Sequence, residues 1–344
     1  MKLFSKEKKQ EEEEILEVHN EAEEQKEQES QKEQDSKEER LKRIAMQRII
    51  VKEQFEELSI AQAIHVIKYL EVFQKASPLE NYEDNHTVVF QIILEKIKEA
   101  PVLYILFDEK TGLPFVANGF IELFSNKEFA KQAVAHYAET FRKLEVREIL
   151  KESTTWLDGI NVFAYLYYLG MEDLLIDNGQ QALAFKRQEI LEAPDWSGME
   201  EKDRPVINGE LRFWMNVYLE EVRWEVTYEG HEERVSQLEE EMVKRLKTAR
   251  YLVPVITSEE TGKPVQIATL PNNKKEMYLP MFTDWFEFDK VFNQEQWKGM
   301  AFTFKQGIEF GQKCDGVVIN PLGENIMMSK EIMKKRFPEF ISAE

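Results

Sequence analysis

Apolar side chains recur at helical spacing through the first hundred residues and then give way to short unbroken runs, so the chain reads as helices followed by strands. From Leu41, the residues Ile44, Val51, Phe55 and Leu58 fall one or two helical turns apart and predict a first amphipathic helix. A second starts at Ser59, with Ile60, Ile64 and Ile67 on one stripe extended by Leu70 and Phe73. It ends at Ala76-Ser77-Pro78, because proline lacks an amide and excludes helix from the residue before it. A third covers Val88 to Lys98, and Pro101 stops it. The run Val102 to Phe107 predicts a buried strand, followed by a Thr111-Gly112 turn and a hairpin partner, Phe115 to Phe120. Ser125 with Glu128 has the form of a capping box and opens a helix bearing Phe129, Ala133, Val134 and Tyr137. Leu144 to Leu150 is predicted as a second short helix, and Ile160 to Leu169 is dense in aromatic and β-favouring residues. Leu174 to Ile176 and Ala182 to Phe185 are strand-like, ahead of a helical turn at Arg187 to Leu191.

This order then recurs. Two helices, Leu211 to about Val226 and Glu233 to Thr248, precede a strand at Tyr251 to Ile256, and Thr261-Gly262 with Pro264 repeats the turn Thr111-Gly112 with Pro114. The segment Pro280 to Asp284 matches Glu122 to Asn126, each an apolar strand end followed by a hydroxyl N-cap and a polar residue. A helix with Phe286, Phe288, Val291 and Phe292 follows. Phe310-Gly311 matches Leu169-Gly170, Gly316 to Asn320 matches Asp173 to Asp177, and Ser329 to Ile332 matches Arg187 to Ile190. The spacing differs only ahead of Met281, where a longer loop around Asn272 to Glu276 accounts for it. The expected fold is therefore α+β: two tandem homologous modules, each a small mixed sheet packed with helices, preceded by a charged N-terminal tail. The expected divisions are a disordered acidic tail over 1–40, a first module over 41–192, a linker over 193–208 rich in Pro and Gly, and a second module over 209–344.

Three of these segments resemble a known family. Tyr251 to Val255, Leu279 to Asp284 and Gly316 to Pro321 are similar, in this order, to the strand motifs of the N-terminal domain of the SseB, or enhanced serine sensitivity, family. The likeness covers about Glu233 to Phe337. The first half departs from it, since Ile105 replaces the strand proline and Asp177-Asn178 stands where Asn-Pro would be. The resemblance implies a bacterial cytoplasmic α/β module that acts through contacts with other proteins. It carries over no catalytic residue, because the family motif offers none.

Composition and charge narrow the reading further. The formal net charge of −20 repels phosphate backbones and anionic membrane faces, which argues against a nucleic-acid partner. Residues 1–40 carry so few large apolar groups that ordering them would not repay its entropy. The longest nearly uncharged stretch, Gly159 to Met171, is well short of the roughly 20 residues that span a bilayer, and no export signal precedes it, so a cytoplasmic location without membrane insertion is expected. Cys314 is alone, its neighbours Lys313 and Asp315 act in opposite directions, and a partly buried thiol is expected. The five histidines are too dispersed for a local metal motif, and neither a G-x-G-x-x-G nor a Walker-type phosphate loop occurs, so no metal and no cofactor is expected. Acids such as Asp108 and Glu109 fall in turns, where they cap amides. Asn320-Pro321 at a strand end forms a turn or binds a ligand. Tryptophan is enriched at protein interfaces, and most of the six cluster from Trp196 onward. The expected function is that of a non-enzymatic protein-binding or adaptor protein, with Asp284, Trp285, Trp297, Asn320 and Pro321 as the binding residues. The alternative is a hydrolase or transferase with a carboxylate-based site in the groove between the modules.

Overall fold

A computed structural model describes residues 35–151, 161–258, 260–261 and 263–341. The described residues form two compact units, divided between Ile97 and Lys98. The rest of the expected tail, Trp156, Ile160 and Gly262 lie outside the described residues.

The first unit is helical. Helix α1 covers residues 35–45 and so begins within the expected tail. It ends well before the predicted helix does, and Lys52–Phe55 forms a separate 3-10 turn. The break is held by Asn85, whose buried side chain accepts from the Ile50 amide (2.9 Å) and donates to the Gln47 and Arg48 carbonyls (3.2 Å each). Helix α2 (Ile60–Ala76) starts at Ser59, which accepts from the Gln62 amide while Gln62 reaches back to the Ser59 amide. Helix α3 (Tyr82–Glu99) buries Val89, Ile92, Ile93 and Ile97 along one face.

The second unit holds the strands. In the first set, β1 (Val102–Asp108), β3 (Phe120–Phe124), β4 (Leu144–Leu150), β5 (Asp173–Ile176) and β6 (Leu183–Lys186) lie in the order β4-β1-β3-β5-β6, and β2 (Val116–Ala117) pairs with β3. Helix α4 (Lys127–Ala138) follows β3, and α5 (Val162–Tyr168) precedes β5. One expectation is corrected here, and one segment left without an element is assigned. Leu144 to Leu150 is strand β4, paired antiparallel with all of β1 from Val102↔Leu150 to Asp108↔Leu144. The aromatic stretch after residue 160 is helix α5, capped by Asn161 and closed by Gly170, which has φ +67°. The Met171 amide bonds the Leu166 carbonyl and the Gly170 amide that of Tyr167, the pattern of a glycine-terminated helix.

Helices α6 (Gly209–Arg223) and α7 (His231–Thr248) lead into the second set: β7 (Arg250–Thr257), β8 (Pro264–Ile267), β9 (Leu270–Pro271), β10 (Met277–Met281), β11 (Lys298–Thr303), β12 (Gly316–Ile319) and β13 (Ile326–Ser329). Helix α8 (Trp285–Asp289) follows β10, α9 (Phe304–Gly311) precedes β12, and α10 (Lys330–Arg336) follows β13. Leu252 of β7 and Phe282 just past β10 exchange both backbone hydrogen bonds, which places β10 beside β7. The order β11-β7-β10-β12-β13 thus repeats β4-β1-β3-β5-β6. The senses agree as well: β1/β4 and β7/β11 are antiparallel, β3/β5 and β10/β12 parallel, β5/β6 and β12/β13 antiparallel.

An extensive core cluster lies in this second set. It joins Leu211 and Met215 of α6, Met242 and Leu246 of α7, and Phe304 and Ile308 of α9 to the inner residues of β7, β10 and β12. Among the described residues no helix is long and apolar enough to cross a membrane.

Candidate functional site

Helix α6 carries a second pattern besides its apolar stripe. Arg212, Asn216 and Glu220 recur every four residues, which puts three polar side chains on one face, and all three are buried. The two ends of that stripe serve different halves of the unit.

At the N-terminal end Arg212 is fully enclosed. Its Nε donates to Glu324 Oε1 (2.7 Å), Nη1 to Asp284 Oδ2 (3.2 Å) and Nη2 to Glu287 Oε1 (2.7 Å), while Lys290 Nζ lies 2.7 Å from the same Glu287 oxygen. Asp284 also caps α8 by accepting from the Glu287 amide, and it accepts from the Thr283 hydroxyl. Asn320, at φ +48°, accepts from the Thr283 amide (3.0 Å) and donates to Thr283 Oγ1 (2.8 Å) and Glu324 Oε2 (2.7 Å). Burial pushes Glu287 above the ordinary carboxylate value, and Arg212 only partly opposes it. Burial also acts on Glu324, but attraction and hydrogen bonding to Arg212, with the Asn320 bond, outweigh it and hold that carboxyl below its ordinary value. An ion cluster with no exposed face holds α6 to the turns after β10 and β12.

The first set of strands repeats the turn-to-turn part of this device. Asp177, at φ +56°, accepts from the Ser125 amide and from its hydroxyl, both at 2.7 Å. The predicted hydroxyl caps are therefore shifted by one residue in both copies. Ser125 and Thr283 are drawn to the left-handed residue across the sheet, and Asn126 and Asp284 cap the helices instead.

The expected binding residues separate accordingly. Asp284 and Asn320 are brought together, but inside the Arg212 cluster and away from solvent. Trp285 and Trp297 are half-buried in an aromatic cluster with Phe282, Phe288 and Phe292, and a Cβ on Gly299 would overlap the Trp285 ring. Pro321 is half-buried at the turn that follows Asn320. Cys314 is half-buried too, and burial together with Asp315 pushes its thiol up.

The C-terminal end of the polar stripe meets the first set of strands. Asn216 Nδ2 donates to the Pro114 carbonyl (2.9 Å) and to Glu220 Oε1 (3.2 Å), which also accepts from the Val116 amide (3.1 Å). Beyond it, Glu225 pairs with Lys110 (2.5 Å) and Lys143 (3.3 Å), and Trp224 Nε1 donates to the Thr140 carbonyl (3.2 Å) beneath the Arg142 guanidinium. Here α6, α7 and the β2–β3 turn enclose a crevice of about 460 Å³. Phe115, Tyr137, Phe213 and Trp214 supply its aromatic surface, and Arg142, Glu220, Glu221 and Arg234 its charged groups. Burial, reinforced by Asp108, holds Glu220 well above the ordinary carboxylate value.

A second cavity, a groove of about 420 Å³, lies on α7, β13 and α10. Its floor is apolar, with Met242, Leu246, Met328 and Phe337 buried, and Met327 and Ile332 stand at its edge 39% and 44% exposed. Lys335 and Arg336 flank it. Arg336 bonds both oxygens of Glu239, whereas the Lys335 ammonium makes no ion pair among the described residues.

The sequence reading missed Arg212, Glu220 and the groove. The four-residue recurrence in α6 was the available signal for the first two, hidden because charged residues on a helix ordinarily read as a solvated face. Residues 229–331 match the family profile of the SseB protein N-terminal domain. No curated protein and no solved structure matches the chain.

Proposed function

With residues 229–331 an SseB-type N-terminal domain, we propose that this chain is a non-enzymatic, cytoplasmic protein-binding or adaptor protein whose groove on α7, β13 and α10 takes an acidic amphipathic segment of a partner. The groove carries this reading. It belongs largely to the family domain, offers unbranched, adaptable Met327 and Met328, and is bordered by the basic last turn of α10, Lys334, Lys335 and Arg336, in a chain that is otherwise strongly acidic. Locally positive potential at an apolar groove favours a segment that pairs bulky apolar side chains with carboxylates. The same reading takes 41–192 and 209–344 as tandem modules of common origin, supported by their matching strand order and by the paired Ser125–Asp177 and Thr283–Asn320 bridges.

The test uses a labelled amphipathic peptide with leucines at i and i+4 and glutamates on the flanks, beside the same peptide with lysines in place of the glutamates. Fluorescence anisotropy should show saturable binding of the acidic peptide alone, weakening as salt is raised. Ile332→Asp and Lys335→Glu, both at exposed positions, should each reduce it at least about tenfold. Equal binding of the two peptides, or binding indifferent to both substitutions, would rule the reading out.

One observation favours the rival, a carboxylate-based hydrolase or transferase: Glu220 lines the crevice with its titration strongly displaced. Glu220→Gln would abolish such turnover while leaving peptide binding in the groove unchanged.

A further inference from the structure

We propose that the crevice between the β2–β3 turn and helices α6 and α7 binds a small carboxylate with an aromatic or branched apolar body. The volume, about 460 Å³, is that of a small-molecule site, and its lining has the usual composition of one, mostly apolar walls with a few convergent polar groups.

Two polar groups in it are uncommitted. Both hydrogen bonds to Glu220 go to Oε1, from Val116 and Asn216, so Oε2 takes none among the described residues although the side chain is 4% exposed. This leaves Oε2 as the oxygen that carries the proton, and burial raises this carboxyl well above its ordinary value, favouring the form that donates from Oε2 to an acceptor in the crevice. The Arg234 guanidinium, at the rim, makes no hydrogen bond or ion pair among the described residues. The remaining charges are spoken for. Glu221 accepts from the Tyr228 hydroxyl (2.9 Å) and lies 3.6 Å from Arg142, and Arg142 donates to the Glu220 carbonyl (2.9 Å) while lying 3.8 Å from the Trp224 ring centroid.

Among the described residues the lining therefore offers one unpaired cation, Arg234, and one carboxyl, Glu220, whose free oxygen is a donor in the form that burial favours. That set selects an anionic acceptor over a cation, and Phe213, Trp214 and Val217 give its apolar body a wall to lie against. The rim offers a further sign of a binding surface. Phe141, between the lining residues Thr140 and Arg142, is 72% exposed and holds φ +60°, a conformation that costs a bulky residue free energy and persists only where surroundings impose it.

The experiment titrates the full chain with phenylacetate, indole-3-acetate and 4-methylpentanoate, each beside its neutral amide, following tryptophan fluorescence and saturation-transfer NMR. Carboxylates should bind saturably and at least about tenfold more tightly than their amides, the difference expected of a charge-assisted hydrogen bond. Trp214→Phe should remove the fluorescence change but not the NMR transfer. Arg234→Gln, at an exposed position, should bring carboxylates down to the level of the amides, and Val217→Trp should block both by filling the space. No saturable transfer with any of the three carboxylates, or an undiminished preference in Arg234→Gln, would overturn the proposal. The groove on α10 is not involved, so peptide binding there would stand or fall separately.

Discussion

At Arg212 three carboxylates lie within 3.2 Å of one guanidinium, and none of the four groups has a solvent-exposed face. Removing the cation would leave buried charges uncompensated, so Arg212→Met should cost about 3–5 kcal/mol, read as a shift of the urea midpoint. Glu220 makes a prediction of the opposite kind. Its folded pKa is raised by burial, so above the unfolded carboxylate range the folded state holds its proton more tightly than the unfolded state does. Stability is then full below the unfolded carboxylate range and falls as pH rises toward the folded pKa. Glu220→Gln, which keeps the size and has no proton to lose, should flatten this decline in urea titrations between pH 5 and 9. An unchanged slope would assign the decline to Glu287, the other carboxyl held above its ordinary value. The four-residue spacing of Arg212 and Glu220 does not by itself reveal their burial, because an Arg or Glu is placed inside only by the partners that surround it, and the distant ones lie 72 to 112 residues away.

Helix α6 is anchored at both ends, and its N-terminus sets how near α5 can come. A Cβ on Gly170 would overlap the Gly209 carbonyl, and Gly170 also holds a left-handed φ. Gly170→Ala should therefore destabilise the fold by more than the about 1–2 kcal/mol of the backbone conformation alone, measured by thermal or urea unfolding. Asn216→Ala, which removes the bonds to the Pro114 carbonyl and to Glu220, should cost about 1–3 kcal/mol by the same measurement. At this scale the sequence was most legible where periodicity is local: α2, α7, β1, β7 and β12 follow directly from their apolar spacing. It misled at β4. Leu144 to Leu150 has apolar residues at spacings a helix also satisfies, and what makes it a strand is a seven-residue ladder with β1, a contact some forty residues distant. Composition left α5 unassigned, and there β-favouring aromatics form a helix because Asn161 caps it and Gly170 closes it.

Across residues 98–344 the same polar stripe binds α6 to both sets of strands, through Arg212 at one end and Asn216 and Glu220 at the other. A fragment of residues 98–344 should accordingly unfold in one cooperative transition by calorimetry, and cutting within 193–208 should not yield two halves that each retain their stability. Two separate transitions would show that the shared helix does not couple them. The sequence alone determined the α+β class, the recurring order of strands and turns, and the family likeness of the second half, since each of these follows from apolar spacing and turn residues that act within a few positions of one another. Tertiary structure decided which polar residues go inside and where open cavities remain. Asp284 and Asn320 became part of a sealed ion cluster, while Glu220, Arg234 and the α10 groove came to line space, because enclosure depends on how distant segments close over a side chain, and the four-residue recurrence in α6 does not by itself distinguish an enclosed polar face from a solvated one.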